Sequence, residues 1–270
     1  MGRMGTRFRQ VMVCIAIVGA ALASGGCRRG GGRYVNVVGS TSVQPFAEML
    51  AQEFNERNPG AAVEVQGGGS TFGLQVLAGG MADIAMCSRR LKPAEKFTPI
   101  TIARDGIAVV VHPSNPVSDL SLARVRDLFS GGAANWRDVD GLDRPVRLIT
   151  REEGSGTREA FADMVMNKER IARTALTQES NGAVRELVSH DPCAIGYMSL
   201  GLVGKDLKAL RIDDVAPTHE SVMKGAYPLV RPFLFVVKDK PGEASRPFIE
   251  FVLSDHGQRM LEKEGLVRAK

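Results

Sequence analysis

The sequence has no apolar stretch of about twenty residues, the length a membrane-spanning helix needs; the apolar run at residues 11–23 has 13. Cysteine is scarce. None of Cys14, Cys27, Cys87 and Cys193 stands in a CxxC, and His112, His190, His219 and His256 are scattered singly, so a structural zinc site has no support. The basic excess that nucleic-acid recognition draws on is missing too. The formal charge is +5, but Arg3, Arg7 and Arg9 fall in the first 26 residues, which hold no acid; beyond them 32 basic residues face 30 acidic ones, a net +2. No partner nucleic acid is expected.

Catalytic signatures are also absent. A nucleophile elbow needs G-x-S-x-G, yet the residues two away from Ser155 are Glu153 and Thr157, and those around Ser70 are Gly68 and Phe72. A P-loop needs Gly-Lys followed by Ser or Thr, and Gly204-Lys205 is followed by Asp206. The glycine-rich 67–73 stretch lacks the G-x-G-x-x-G spacing. A serine hydrolase is therefore a remote reading, and no cofactor is indicated.

What is present begins with an address. A basic stretch, the apolar run and the small residues Ala23, Ser24, Gly25 and Gly26 read as a secretory signal over residues 1–26. Cys27 follows directly, which resembles a bacterial lipoprotein cleavage site, with Ser24 where a leucine usually stands. The expectation is an extracytoplasmic protein (periplasm or cell surface) anchored to a membrane through lipid on Cys27; ordinary secretion after a cut nearby is the alternative. Residues 27–33 form a flexible tether ending in RRGGGR. In an oxidising compartment Cys87 and Cys193 could pair; equally, each reads as a small buried apolar residue.

Beyond the tether, strand-like runs at 34–38, 62–66, 84–87, 107–111, 146–150, 194–199 and 233–237 alternate with helical spacing, as in Phe46, Met49, Leu50 and Phe54. That alternation predicts an α/β fold of βαβ units with mostly parallel sheets. Proline-flanked breaks, HPSNPVSDL after Val111 and YPLVRP near residue 227, suggest two lobes. Residues 34–111 with 227–270 would form one and 112–226 the other, with two hinge crossings and a cleft.

Three junctions repeat one pattern. YVNVV runs into Gly39-Ser40-Thr41-Ser42, AVEVQ into Gly67-Gly68-Gly69-Ser70-Thr71, and VRLIT into Arg151 and then Gly154-Ser155-Gly156-Thr157, each before a helix. A single such loop is most often only a helix cap. Three of them, at the carboxyl ends of strands where α/β sheets bind ligands, gather free N–H groups at positive helix ends. Hydroxyl donors and one guanidinium, a planar fork that fits a tetrahedral oxyanion, complete the set.

These stretches, VVGSTSVQPFAEMLAQEF, VEVQGGGSTFGLQVLAGGMADIAMCSR and REEGSGTREAF, resemble the phosphate-binding proteins of bacterial ABC transporters, and the similarity extends over residues 34–270. The resemblance implies a two-lobed periplasmic-binding-protein fold (type II-like) that closes on dehydrated phosphate. It also implies delivery to an inner-membrane permease, with the binding protein acting as a monomer. Carried over by motif, Thr41, Ser42, Ser70, Arg151, Ser155, Gly156 and Thr157 are expected to hold the phosphate, and Glu153 to pair with Arg151. Ser88 falls where some members have an aspartate that accepts the phosphate proton. A serine carries no charge to repel sulfate, which leaves sulfate, molybdate or tungstate, or a sensor's ligand module, as alternatives. Arg89 next to it is expected either to add charge at the cleft or to lie solvated at the surface.

Overall fold

The computed structural model describes residues 33–269. The signal at 1–26, the proposed lipidation at Cys27 and the tether through residue 32 lie outside the described residues. Among those residues no helix is long and apolar enough to cross a membrane.

The chain alternates β1 (Arg33–Gly39), α1 (Gln44–Arg57), β2 (Ala61–Gly67), α2 (Ser70–Ala78) and β3 (Ile84–Cys87), then runs through the long β4 (Thr98–Val111). There follow β5 (Asp119–Leu120), α3 (Leu122–Ser130), β6 (Arg147–Arg151), α4 (Gly156–Phe161), β7 (Leu176–Gln178), α5 (Asn181–His190) and β8 (Ala194–Ser199). The rest is β9 (Lys208–Ala209), β10 (Arg211–Ile212), α6 (His219–Met223), β11 (Val230–Val237), α7 (Arg246–Leu253), α8 (Asp255–Lys263) and β12 (Val267–Arg268). All seven strand-like runs are strands. The α/β class follows from their pattern: in α1, Phe46, Ala47, Leu50, Ala51 and Phe54 recur at helical spacing and are buried, while in β1 Val35 and Val37 alternate into the core.

Eight strands are ordered β2-β1-β3-β11-β4-β8-β6-β7, with β9 and β12 also on β4, and β5 pairs β10 apart from them. Outside β4 and β11, and apart from two isolated antiparallel bridges, every strand-to-strand pairing among the described residues is parallel (β1 with β2 and β3, β6 with β7 and β8, β5 with β10). Every pairing that includes β4 or β11 is antiparallel. The reason is topological: these two strands carry the chain out of one half of the molecule and back.

The packing makes those halves visible. Two core clusters draw on residues 35–103 and 233–266, here the flanking half. The other two draw on residues 107–229, joined by Val267, here the central half. Along β4, Ile102 and Ala103 belong to the flanking core and Ile107, Val109 and Val111 to the central one. Between them Asp105 lies opposite Arg231 of β11. Phe46 packs on Phe233 (5.9 Å) and Phe54 on Phe248 (5.4 Å) in the flanking core, and Phe161 stacks on Tyr197 (4.0 Å) in the central one. Cys87 and Cys193 are unpaired thiols.

Candidate anion-binding site

The three glycine- and hydroxyl-rich junctions converge. The first two belong to the flanking half, where Gly69 N–H donates to the Gly39 carbonyl (3.0 Å). The third belongs to the central half, and Thr71 N–H donates across to the Gly154 carbonyl (3.1 Å). Close approach explains two glycines. Gly69 has φ +92° and faces Gly154. A Cβ on Gly156 would fall 2.2 Å from Ser70 Oγ and 2.6 Å from Ser88 Oγ, so only glycine lets the third loop reach those hydroxyls.

Tyr197 fixes the third loop from below. Stacked on Phe161 of α4, it shares a hydrogen bond with Thr150 Oγ1 (2.7 Å) and receives Arg151 N–H (3.4 Å). Burial pushes its phenol up, which keeps it neutral as a fixed polar anchor. The Arg151 side chain is 1% exposed. Its Nε and Nη2 donate to Glu152 Oε2 (2.9 Å) and Oε1 (3.0 Å), and Nη2 also reaches Thr41 Oγ1 (3.0 Å) in the first loop and the Glu179 carbonyl (3.2 Å). Its remaining nitrogen, Nη1, is buried and has no protein partner. An uncompensated guanidinium N–H in a dry site is costly, and an anion is what would satisfy it.

Beside Thr41 Oγ1, which meets this guanidinium, the other hydroxyls of the three loops are linked to one another. Ser42 Oγ and Thr157 Oγ1 meet across the halves at 2.8 Å. Ser70 Oγ accepts Ser88 N–H (3.1 Å), Ser40 Oγ donates to Ser88 Oγ (2.8 Å), and Ser70 and Ser88 are both fully buried. Ser155 Oγ caps α4 by accepting Arg158 N–H (3.3 Å). Thr41, Ser42, Ser70, Ser88, Arg151, Gly156 and Thr157 thus form one connected group, with Ser155 adjoining it.

Two expectations need correction. The carboxylate that holds Arg151 is Glu152; Glu153 is exposed. The chain leaves the sheet at Arg151, so strand alternation no longer says which of two adjacent glutamates turns inward. Arg89 is neither a free cleft charge nor a solvated arginine. It is buried, chelating Glu95 through Nη1 and Nη2 (both 2.8 Å), with Glu159 3.2 Å from its Nε.

Three residues at the site went unseen in the sequence. Arg231 donates Nη1–H to Thr157 Oγ1 (2.7 Å) and the Ser88 carbonyl (3.3 Å), while Nε and Nη2 hold Asp105 Oδ2 (3.1 and 2.9 Å). Burial raises the Asp105 carboxyl and lowers the Arg231 guanidinium, and each opposes the other's shift toward the neutral form. Asn181 donates to Ser42 Oγ (2.9 Å). Opposite charges at facing positions of TIARDG and YPLVRP were the available signal, hidden because YPLVRP reads as a break and TIARDG falls ahead of the strand-like run at 107–111.

Residues 26–256 match the PBP superfamily domain. The chain belongs to that superfamily. Among its relatives are phosphate-binding proteins. The chain is 37% identical to a Clostridium perfringens ABC-transporter substrate-binding protein assigned to phosphate and solved with phosphate bound (TM-score 0.85, covering 88% of this chain and 100% of that one). It is 35% identical to an ABC-type phosphate transport receptor from Vibrio cholerae (TM-score 0.74, 86% and 99% covered). The phosphate-binding protein PstS of Bacillus subtilis is 29% identical over 84% of this chain and 77% of that protein.

Proposed function

We propose that this PBP-superfamily chain is an extracytoplasmic solute-binding protein that captures inorganic phosphate between two lobes and delivers it to an ABC-transporter permease. The observation that carries the reading is the buried, unpartnered Nη1 of Arg151, a guanidinium that also ties the third donor loop to Thr41 of the first. The flanking and central halves act as the lobes, close to the expected 34–111 with 227–270 and 112–226, and β4 and β11 act as the crossings. Thr41, Ser42, Ser70 and Ser88 contribute from one lobe and Arg151, Ser155, Gly156 and Thr157 from the other, so the closed form is stabilised by contacts that neither lobe makes alone. The protein works as a monomer, tethered to the membrane through lipid on Cys27, and performs no chemistry on its guest.

A second reading, another tetrahedral oxyanion, is favoured by one feature: Ser88 offers a hydroxyl where a carboxylate would reject sulfate. Calorimetric titration of purified protein with phosphate, sulfate, arsenate and molybdate tests both. Phosphate binding with sulfate silent is expected; sulfate binding as tight as phosphate would replace the assignment.

A further inference from the structure

A closed circuit of hydrogen bonds runs behind the Ser42–Thr157 contact, and its directions are fixed by groups that have no choice. Ser199 N–H donates to Asn181 Oδ1 (3.1 Å), so the amide must turn Nδ2 toward Ser42 Oγ (2.9 Å). Ser199 Oγ donates to Asp105 Oδ1 (3.0 Å), and the other carboxylate oxygen, Oδ2, holds Arg231, whose Nη1 points at Thr157 Oγ1 (2.7 Å). A guanidinium and an amide NH₂ can only donate. Ser42 Oγ and Thr157 Oγ1 are therefore obliged to accept, one from each side of the closed cleft.

Proton counting gives the consequence. The two hydroxyls carry two protons, and the single 2.8 Å contact between them uses one. Among the described residues neither oxygen has another acceptor within hydrogen-bond reach, so one proton is left over for a guest. We propose that Asn181 and Arg231 are positioning residues that turn the Ser42–Thr157 pair into an obligatory hydrogen-bond donor, making this edge of the site specific for an unprotonated oxyanion oxygen. Any proton on the guest must then face elsewhere. The inference rests on the anion-binding reading and adds to it which groups set donor direction.

The test is a pair of double-mutant cycles read by calorimetric titration with inorganic phosphate. Asn181→Asp keeps the acceptor for Ser199 N–H, and so the fold, but reverses the polarity toward Ser42. It is expected to weaken phosphate more than tenfold in the otherwise native chain and by threefold or less in the Ser42→Ala background, where no hydroxyl remains to misdirect. Equal losses in both backgrounds would mean that the new charge alone acts, and would overturn the proposal. On the other side, Asp105→Asn combined with Arg231→Gln removes both buried charges together, which spares the fold the cost of one unpaired ion. It should weaken phosphate about tenfold alone and little further in Thr157→Val; losses that multiply would again refute the role. A native chain that ignores phosphate but binds sulfate or molybdate would remove the phosphate assignment only, and the same cycles would then be read with that anion. A native chain that binds none of them removes both.

Discussion

Two buried arginines, Arg89 and Arg151, look alike in sequence and differ in what they have left over. Each side chain is almost wholly buried, 2% and 1% exposed, and each grips a carboxylate with two nitrogens. Around Arg89 a second carboxylate, Glu159, stands opposite Nε, so the cation is more than neutralised. Around Arg151 there is one carboxylate, the other contacts are neutral oxygens, and Nη1 has none. Burial and charge alone do not mark an anion site. Arg89 Nε makes no hydrogen bond either, but the Glu159 carboxylate already faces it; an unspent donor with no carboxylate beside it, as at Arg151 Nη1, is what marks the site.

The sharpest way to break this contrast is to remove each arginine. Arg151→Ala should abolish phosphate capture: losing one partner of a dehydrated charge pair costs about 3–5 kcal/mol, more than a hundredfold in affinity. Micromolar binding retained by that variant in a calorimetric titration would end the assignment.

Arg89→Met comes next, and its effect should fall on a different quantity. Glu95 and Glu159 are partly exposed, 20% and 22%, so water screens what the arginine leaves behind. Stability should drop by about 1–3 kcal/mol, as for a hydrogen-bonded charged group left unpaired, measured by denaturant unfolding. Phosphate affinity should change no more than about threefold, because Lys92 and Thr71 still reach Glu159. A loss as large as that of Arg151→Ala would erase the distinction between the two sites.

Much of this is legible in the sequence. Seven strands and all three donor loops follow from period and glycine–hydroxyl spacing, because those patterns are local. Arg151 stood out because it closes a strand just ahead of the third loop. The partner of Arg151 was not legible: Glu152 and Glu153 are adjacent in a turn, and only the tertiary path selects one. Nor was the Asp105–Arg231 pair, whose residues are 126 apart and meet only because β4 and β11 lie in antiparallel register. A charged residue inside an apolar strand reads as a break until its opposite number is found.

The glutamates sharpen the comparison further. Glu152→Gln keeps the shape but turns one oxygen into an NH₂ that cannot accept from Arg151. It should weaken phosphate by about tenfold, the low end of the worth of one charge-assisted hydrogen bond. Glu153→Gln, on an exposed side chain, should leave the titration unchanged. An equal loss from both would show that net charge, rather than the fork to Glu152, holds the guanidinium.

The smallest expected effect is a pH dependence confined to the Arg89 side. Hydrogen bonds from Arg89, and then from the Lys92 backbone, hold the Glu95 carboxyl below its ordinary value against the opposing effect of its partial burial. A carboxyl whose pKa is lower folded than unfolded binds fewer protons in the native state. Its contribution is therefore complete above the unfolded pKa, about 4.5, and disappears as pH falls through the folded value. Glu95→Gln should be less stable than the native chain at pH 7, and the gap between the two should narrow steadily below about pH 4.5. Glu53 and Asp206 are lowered by their own arginines and titrate in both proteins, so the difference between the two unfolding curves, rather than either curve, isolates Glu95. A gap that stays constant down to pH 3 would mean that the Arg89–Glu95 fork contributes packing and no charge, and that the two buried arginines differ in less than their leftover donors imply.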